Sequence, residues 1–128
     1  MPALEQLHGW RVIADPGALD RAIWAGEDVI VLRIAPDEAF AVGAVGVDVD
    51  EPDAIVEPEA GFVGVRLSPN DLERVVTHLD WPIADVPGVL AQGKVAGVPA
   101  KILTGEPALL VTQAAYAHDL ADRLGWLP

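Results

Sequence analysis

Lys94 and Lys101 are the two lysines of this chain, and both lie in one Gly- and Pro-rich stretch, Gly88-Val-Leu-Ala-Gln-Gly-Lys-Val-Ala-Gly-Val-Pro-Ala-Lys101. An ammonium group can hold a carboxylate or phosphate, and glycine lets backbone approach such a ligand closely. Elsewhere the positive charge is six scattered arginines, set against twenty Asp and Glu in a chain of net charge −12. An acidic protein repels anions over most of its surface, so its clustered cations mark where an anion or an acidic partner is tolerated. Lys94 and Lys101, with Arg33 and Arg66 as further donors, are therefore the candidate binding residues for a small anionic ligand. Residues seven apart in a continuous strand face opposite ways, and Gly97 and Pro99 can break that alternation. Spacing alone leaves open whether the lysines share a site.

Other patterns suggest chemistry and fall short of it. Gly88-x-x-x-x-Gly93-Lys94 has the spacing of a phosphate-binding loop, but Val95 stands where a hydroxyl would hold magnesium. A Pro-bearing connector precedes it and Val95-Ala-Gly-Val-Pro99 follows, a poor helix former. A Gly-rich turn before an edge strand is the structural alternative. Asp48, Asp50 and Glu59 occupy positions 1, 3 and 12 of a calcium loop, yet Pro52 replaces a ligand and Asp53 the required glycine. A solvated acidic loop is the default there. Of His8, His78 and His118, the last two have a nearby aspartate in sequence, Asp80 and Asp119. Both are expected on helices, where adjacent residues diverge by about 100° and form no natural dyad. Ser68, the one serine, reads as a helix cap, and no cysteine is present, which removes the familiar acyl-transfer nucleophiles. No catalytic residue, metal ligand or cofactor is assigned.

The elements that position these residues follow from local signals. Trp10–Ile13 reads as a strand, and Asp15-Pro16 as a capped helix start with Leu19, Ala22 and Ile23 buried and Gly26 as its end. Val29–Ile34 is a β-branched strand, and Ala39–Val47 returns beside it. Residues 48–59 are an acidic segment. Gly61–Leu67 is the next strand; Ser68-Pro69 then caps a helix that buries Leu72, Val75, Val76 and Leu79. Residues 80–88 connect, docked by Trp81. Residues 89–92 form a helical turn, 94–103 an extended segment, 104–107 a turn and 108–112 its partner strand. A last helix spans 113–124 with Ala117, Leu120, Ala121 and Leu124 inward. Each tryptophan, Trp10, Trp24, Trp81 and Trp126, sits near an element end, as rings at the margin of a core do. The expectation is one α+β domain over residues 1–128, a mostly antiparallel sheet with about three helices. A ferredoxin-like split β-α-β core accommodates the order.

Composition narrows the classes. At 52% hydrophobic and 22% charged residues the chain is a packed domain rather than a disordered one. Its charge works against nucleic acid and against anionic membrane surfaces. No run reaches the ~20 apolar residues of a membrane span. The start Met-Pro-Ala-Leu-Glu-Gln-Leu-His is unlike a signal peptide. A soluble, cytoplasmic protein is expected.

Leu32-Arg-Ile-Ala-Pro-Asp-Glu38 followed by a hydrophobic strand resembles a segment of the sarcosine oxidase gamma subunit family, itself similar to the folate-binding domain of aminomethyltransferases. The similarity continues in Leu90-Ala-Gln-Gly93, in Val98-Pro-Ala-Lys-Ile102, and in Leu109-Leu-Val-Thr-x-x-x-Tyr-Ala-His-x-Leu120, like that family's final strand and amphipathic helix. The resemblance implies a fold and an accessory-subunit role; it transfers no active site and assigns no folate ligand. The first functional expectation is a non-catalytic accessory or protein-interaction subunit, with a protein partner or a second copy, of an oxidoreductase assembly. The alternative is a binding domain for a small anionic, folate-like metabolite. A third reading, an enzyme, requires His78 or His118 beside a carboxylate in a pocket.

Overall fold

β-Branched and Gly-punctuated runs form antiparallel strands, and the proline-started segments form short helices. A computed structural model describes residues 2–128. In chain order the elements are β1 (Glu5–Gln6), β2 (Gly9–Ile13), α1 (Pro16–Asp20), β3 (Ile23–Ala25), β4 (Ile30–Ala35), β5 (Glu38–Val42), β6 (Gly46–Asp48) and β7 (Ile55–Glu59). There follow β8 (Phe62–Leu67), α2 (Pro69–Val76), β9 (Leu90–Val95), β10 (Val98–Leu103), β11 (Ala108–Gln113), a 3₁₀ turn (Ala114–Tyr116) and α3 (Ala117–Arg123). The chain is α+β, as expected, and every strand pairing is antiparallel. It divides into two compact units, Leu7–Ala60 and Gly61–Pro128, the latter including β1.

The Leu7–Ala60 unit holds a four-stranded sheet, β4-β5-β2-β7, and a two-stranded ribbon, β3-β6. Asp15 caps α1 by accepting the Gly17 N–H at 3.2 Å. The helix stops at Asp20, short of the expected Gly26, because β-branched Ile23 and Trp24 pair with β6 instead. Ile23, expected inside, is 67% exposed. The expected strand over 39–47 is broken at Gly43, whose φ of 83° turns the chain between β5 and β6. A small core of Val12, Ala14, Ala18, Leu19 and Ala39 lies beneath half-buried Trp24 and Val47.

The acidic segment is partly strand. Arg11 of β2 lies opposite Glu57 of β7 and bonds its Oε1 at 2.8 Å, while its Nε bonds Glu38 Oε2 at 2.8 Å. The hydrogen bonds to Glu38 and then Glu57 push the Arg11 guanidinium above its ordinary pKa. One shared cation thus lets carboxylate-bearing strands flank β2. Pro58 is tolerated because β7 is a sheet edge.

The Gly61–Pro128 unit holds the sheet β1-β8-β11-β10-β9, with α2 and α3 against one face. That face carries Leu67, Val95, Val98, Ala100, Ile102, Ala108 and Leu110, and the helices add Val75 and Leu120. Ser68 Oγ accepts the Asp71 N–H at 3.2 Å, the expected cap. Val76, expected inside, is 42% exposed, since the short α2 turns only one stripe inward. The split β-α-β arrangement is not the one adopted. Tight turns run β9, β10 and β11 as a meander, β11 pairs with β8, and so β9 reaches the far edge, separated from β8 by two strands and antiparallel to it. Among the described residues no helix is long and apolar enough to cross a membrane.

Candidate functional site

The expected helical turn at 89–92 is instead the start of β9, which pairs with β10 from Leu90↔Leu103 to Val95↔Val98. Ala96 and Gly97, with φ of 50° and 82°, close the hairpin in two residues, the geometry that follows strand twist. This turn answers the question of the lysines. Lys94 pairs with Pro99, and Lys101 pairs with Gln92. Cross-strand partners share a face, as do residues two apart. Gln92, Lys94, Pro99 and Lys101 therefore project together, away from the face that α2 and α3 cover.

The same turn decides the backbone bonding. Val95 and Val98 form the hydrogen-bonded closing pair of a two-residue hairpin, so Lys94 and Pro99 form the next, non-hydrogen-bonded pair, with polar groups directed outward. Lys94 offers its carbonyl at the sheet edge, where Trp81 Nε1 donates to it at 2.8 Å. The Trp81 ring lies over Gly93 so closely that a Cβ there would stand 2.8 Å from two indole atoms. Trp81 thus docks the connector on β9, as the sequence suggested. Pro99 has no N–H to offer β11. Its carbonyl takes a bond from the hydroxyl of buried Thr112, at 2.8 Å. The β10–β11 ladder accordingly ends at Lys101↔Val111, while β11 continues along β8 to Gln113↔Phe62.

A cleft of about 370 Å³ lies where β10 and β11 part. Lys94, Lys101, Gln92, Gln113, Phe62 and Tyr116 are among its walls, with Pro99 and Val111. Lys101 is held in place: its Nζ donates to Gln92 Oε1 at 2.8 Å and stands 6.0 Å from the Phe62 ring centroid, the outer limit of a cation–π contact. Lys94 is exposed, and its ammonium forms no salt bridge among the described residues. Sequence reading found the lysines but missed Gln92, Gln113, Phe62 and Tyr116. Strand alternation through β9 and β11 was the signal available for both glutamines.

The remaining candidates lie apart from this cleft. Arg66 lies on β8 opposite Leu109, exposed, and does not line the cleft. Arg33 belongs to the other unit, where Nη1 pairs with Asp20 at 2.9 Å and the guanidinium donates to the carbonyls of Pro16 and Pro36. Positions 88–94 run from a turn into a strand with no helix after it, unlike a nucleotide loop. Residues 55–59 of the calcium-like spacing are strand β7, so no twelve-residue loop wraps a cation. No group of three or more His, Asp or Glu among the described residues is placed to hold a metal. All three histidines are exposed; His118 is on α3 as expected, and His78 lies just beyond the end of α2.

No protein-family model matches this chain, and no curated protein sequence does. Among solved structures, a chain of heterotetrameric sarcosine oxidase from Corynebacterium sp. U-96, determined in complex with pyrrole 2-carboxylate, matches with a TM-score of 0.64. The match covers 97% of this chain and 84% of that one at 12% identity. The likeness is one of fold, and it falls on the enzyme whose gamma subunit family the sequence segments resemble.

Proposed function

We propose that this chain is a non-catalytic accessory subunit of an oxidoreductase assembly, held there by protein–protein contacts. The observation that carries the proposal is the fold likeness, over 97% of the chain, to a chain of an enzyme described as heterotetrameric. The serine and threonine hydroxyls add support, because they do structural work. Ser68 caps α2, Thr77 donates to Arg74 O at 2.6 Å, Thr104 donates to Val86 O at 2.6 Å, and Thr112 donates to Pro99 O. Apolar exposure in the Leu7–Ala60 unit also supports it: Val45 is 74% exposed, Ile23 67% and Ile55 52%. Side chains of this kind are suited to burial against another protein. The proposal keeps the cytoplasmic location expected from the sequence.

The test is native mass spectrometry of the tagged protein, purified gently from its own host, with flavin absorbance read on the same sample. A stoichiometric complex with redox-cofactor-bearing chains is the expected result. A bare monomer, or a homodimer with no other chain, overturns the proposal.

A further inference from the structure

We propose that the cleft between β10 and β11 binds a small organic anion, its carboxylate on Lys94 and its flat apolar body against Phe62 and Tyr116. The inference does not depend on the assembly reading. Eleven residues line the cleft, and they include both lysines of the chain and none of its twenty acidic residues. In a chain of net charge −12, that local inversion of sign is what an anion requires. The volume of about 370 Å³ falls within the roughly 300–1,000 Å³ of small-molecule sites. Phe62, Pro99, Val111 and Tyr116 give apolar walls, and a few polar groups converge on them, the composition that orients a ligand with one charged end.

The two lysines take different parts. Lys101 is fixed by Gln92 and lies over Phe62, so it is a stationary positive wall. Lys94, exposed and with no salt-bridge partner among the described residues, is the cation able to close on a carboxylate. The Gln113 amide, at the end of β11, offers a further donor to the same oxygens. The opening is built into the backbone. Pro99 ends the β10–β11 ladder, and the Thr112 hydroxyl takes its carbonyl where the strands part.

The experiment is an NMR titration of the ¹⁵N-labelled full chain with benzoate, benzyl alcohol and inorganic phosphate. Benzoate is expected to shift, saturably, the amides of Gly93, Lys94, Lys101 and Gln113 and the side-chain amides of Gln92 and Gln113. Lys94→Gln, at an exposed position, should leave the rest of the spectrum unchanged and weaken benzoate by about three- to fivefold. Benzyl alcohol should bind more weakly than benzoate, and so should phosphate. Shifts dispersed away from the cleft, or a Lys94→Gln affinity equal to the parent's, overturn the proposal. Benzyl alcohol matching benzoate reduces the cleft to an apolar one and overturns the anion assignment. Phosphate matching benzoate at the same residues overturns the organic body.

Discussion

Gly93 and Trp81 offer a test in which the sign of an effect, as well as its size, follows from the structure. A Cβ at Gly93 would stand 2.8 Å from both Cε2 and Nε1 of Trp81, and the rigid indole is also tied through Nε1 to the Lys94 carbonyl. Gly93→Ala must therefore push the ring off β9. Overpacking of this kind costs about 1–3 kcal/mol, and the strained hydrogen bond adds about 1 kcal/mol. Against this, removing a glycine from a strand interior returns about 0.5–1 kcal/mol. The net expectation is a loss of about 1–3.5 kcal/mol. Trp81→Ala alone should cost about 2 kcal/mol, below the range for a fully buried tryptophan because this ring is half-buried. In the Trp81→Ala background the clash is gone and the backbone gain remains, so Gly93→Ala should there stabilise by about 0.5 kcal/mol. Urea unfolding followed by far-UV circular dichroism, at constant m, measures each member of the cycle. A Gly93→Ala effect of the same sign and size in both backgrounds would refute the argument that this glycine exists to seat the indole.

Two further substitutions test the hairpin and its anchor. Ala96 carries a φ of 50° in a turn that needs a left-handed residue, so Ala96→Gly should stabilise by up to about 1 kcal/mol and Ala96→Val should destabilise by about 1–2 kcal/mol; unfolding midpoints check both. Buried Thr104 accepts the Val89 N–H at 2.8 Å and donates to Val86 O at 2.6 Å. Thr104→Val should then cost about 2–3 kcal/mol and speed amide exchange at Val89, whereas Thr104→Ser should keep slow exchange there.

The parts of the fold legible in the sequence are those whose signals are local. Asp15-Pro16 and Ser68-Pro69 announce helix starts that the structure confirms to the residue. The β-branched run ending in Ile34 and the run 108–112 are strands for reasons contained within them. The four tryptophans are half-buried, as rings near element ends should be. What escaped notice was set by partners. β3 and β6 are three-residue strands that exist because they pair with each other. β7 is held in an acidic stretch by an arginine forty-six positions away. β9 begins Leu-Ala-Gln-Gly, with little intrinsic preference for a strand, and is one because β10 lies alongside. The candidate site was half legible on the same grounds: charge scarcity marks the lysines and strand alternation was available for the glutamines, but the register is what sets Phe62 and Tyr116 beside them.

The composition of that hairpin bears on what the cleft is for. Glycine and proline are depleted in strands, yet Gly93 and Pro99 both lie within strands here. Where a sequence opposes local propensity, either packing or function accounts for it. Packing accounts for Gly93, through Trp81. It does not account for Pro99, which is exposed, gives up a ladder bond to β11 and needs the hydroxyl of a buried threonine to satisfy its carbonyl. A threonine or valine at position 99 would extend the ladder and favour the strand. The visible consequence of proline is the parting of β10 from β11, and the cleft that results is where the chain's two lysines meet. The residue that weakens the sheet is thus the one that opens a positively charged cleft in an acidic chain, the pattern expected when a small stability loss is retained for binding.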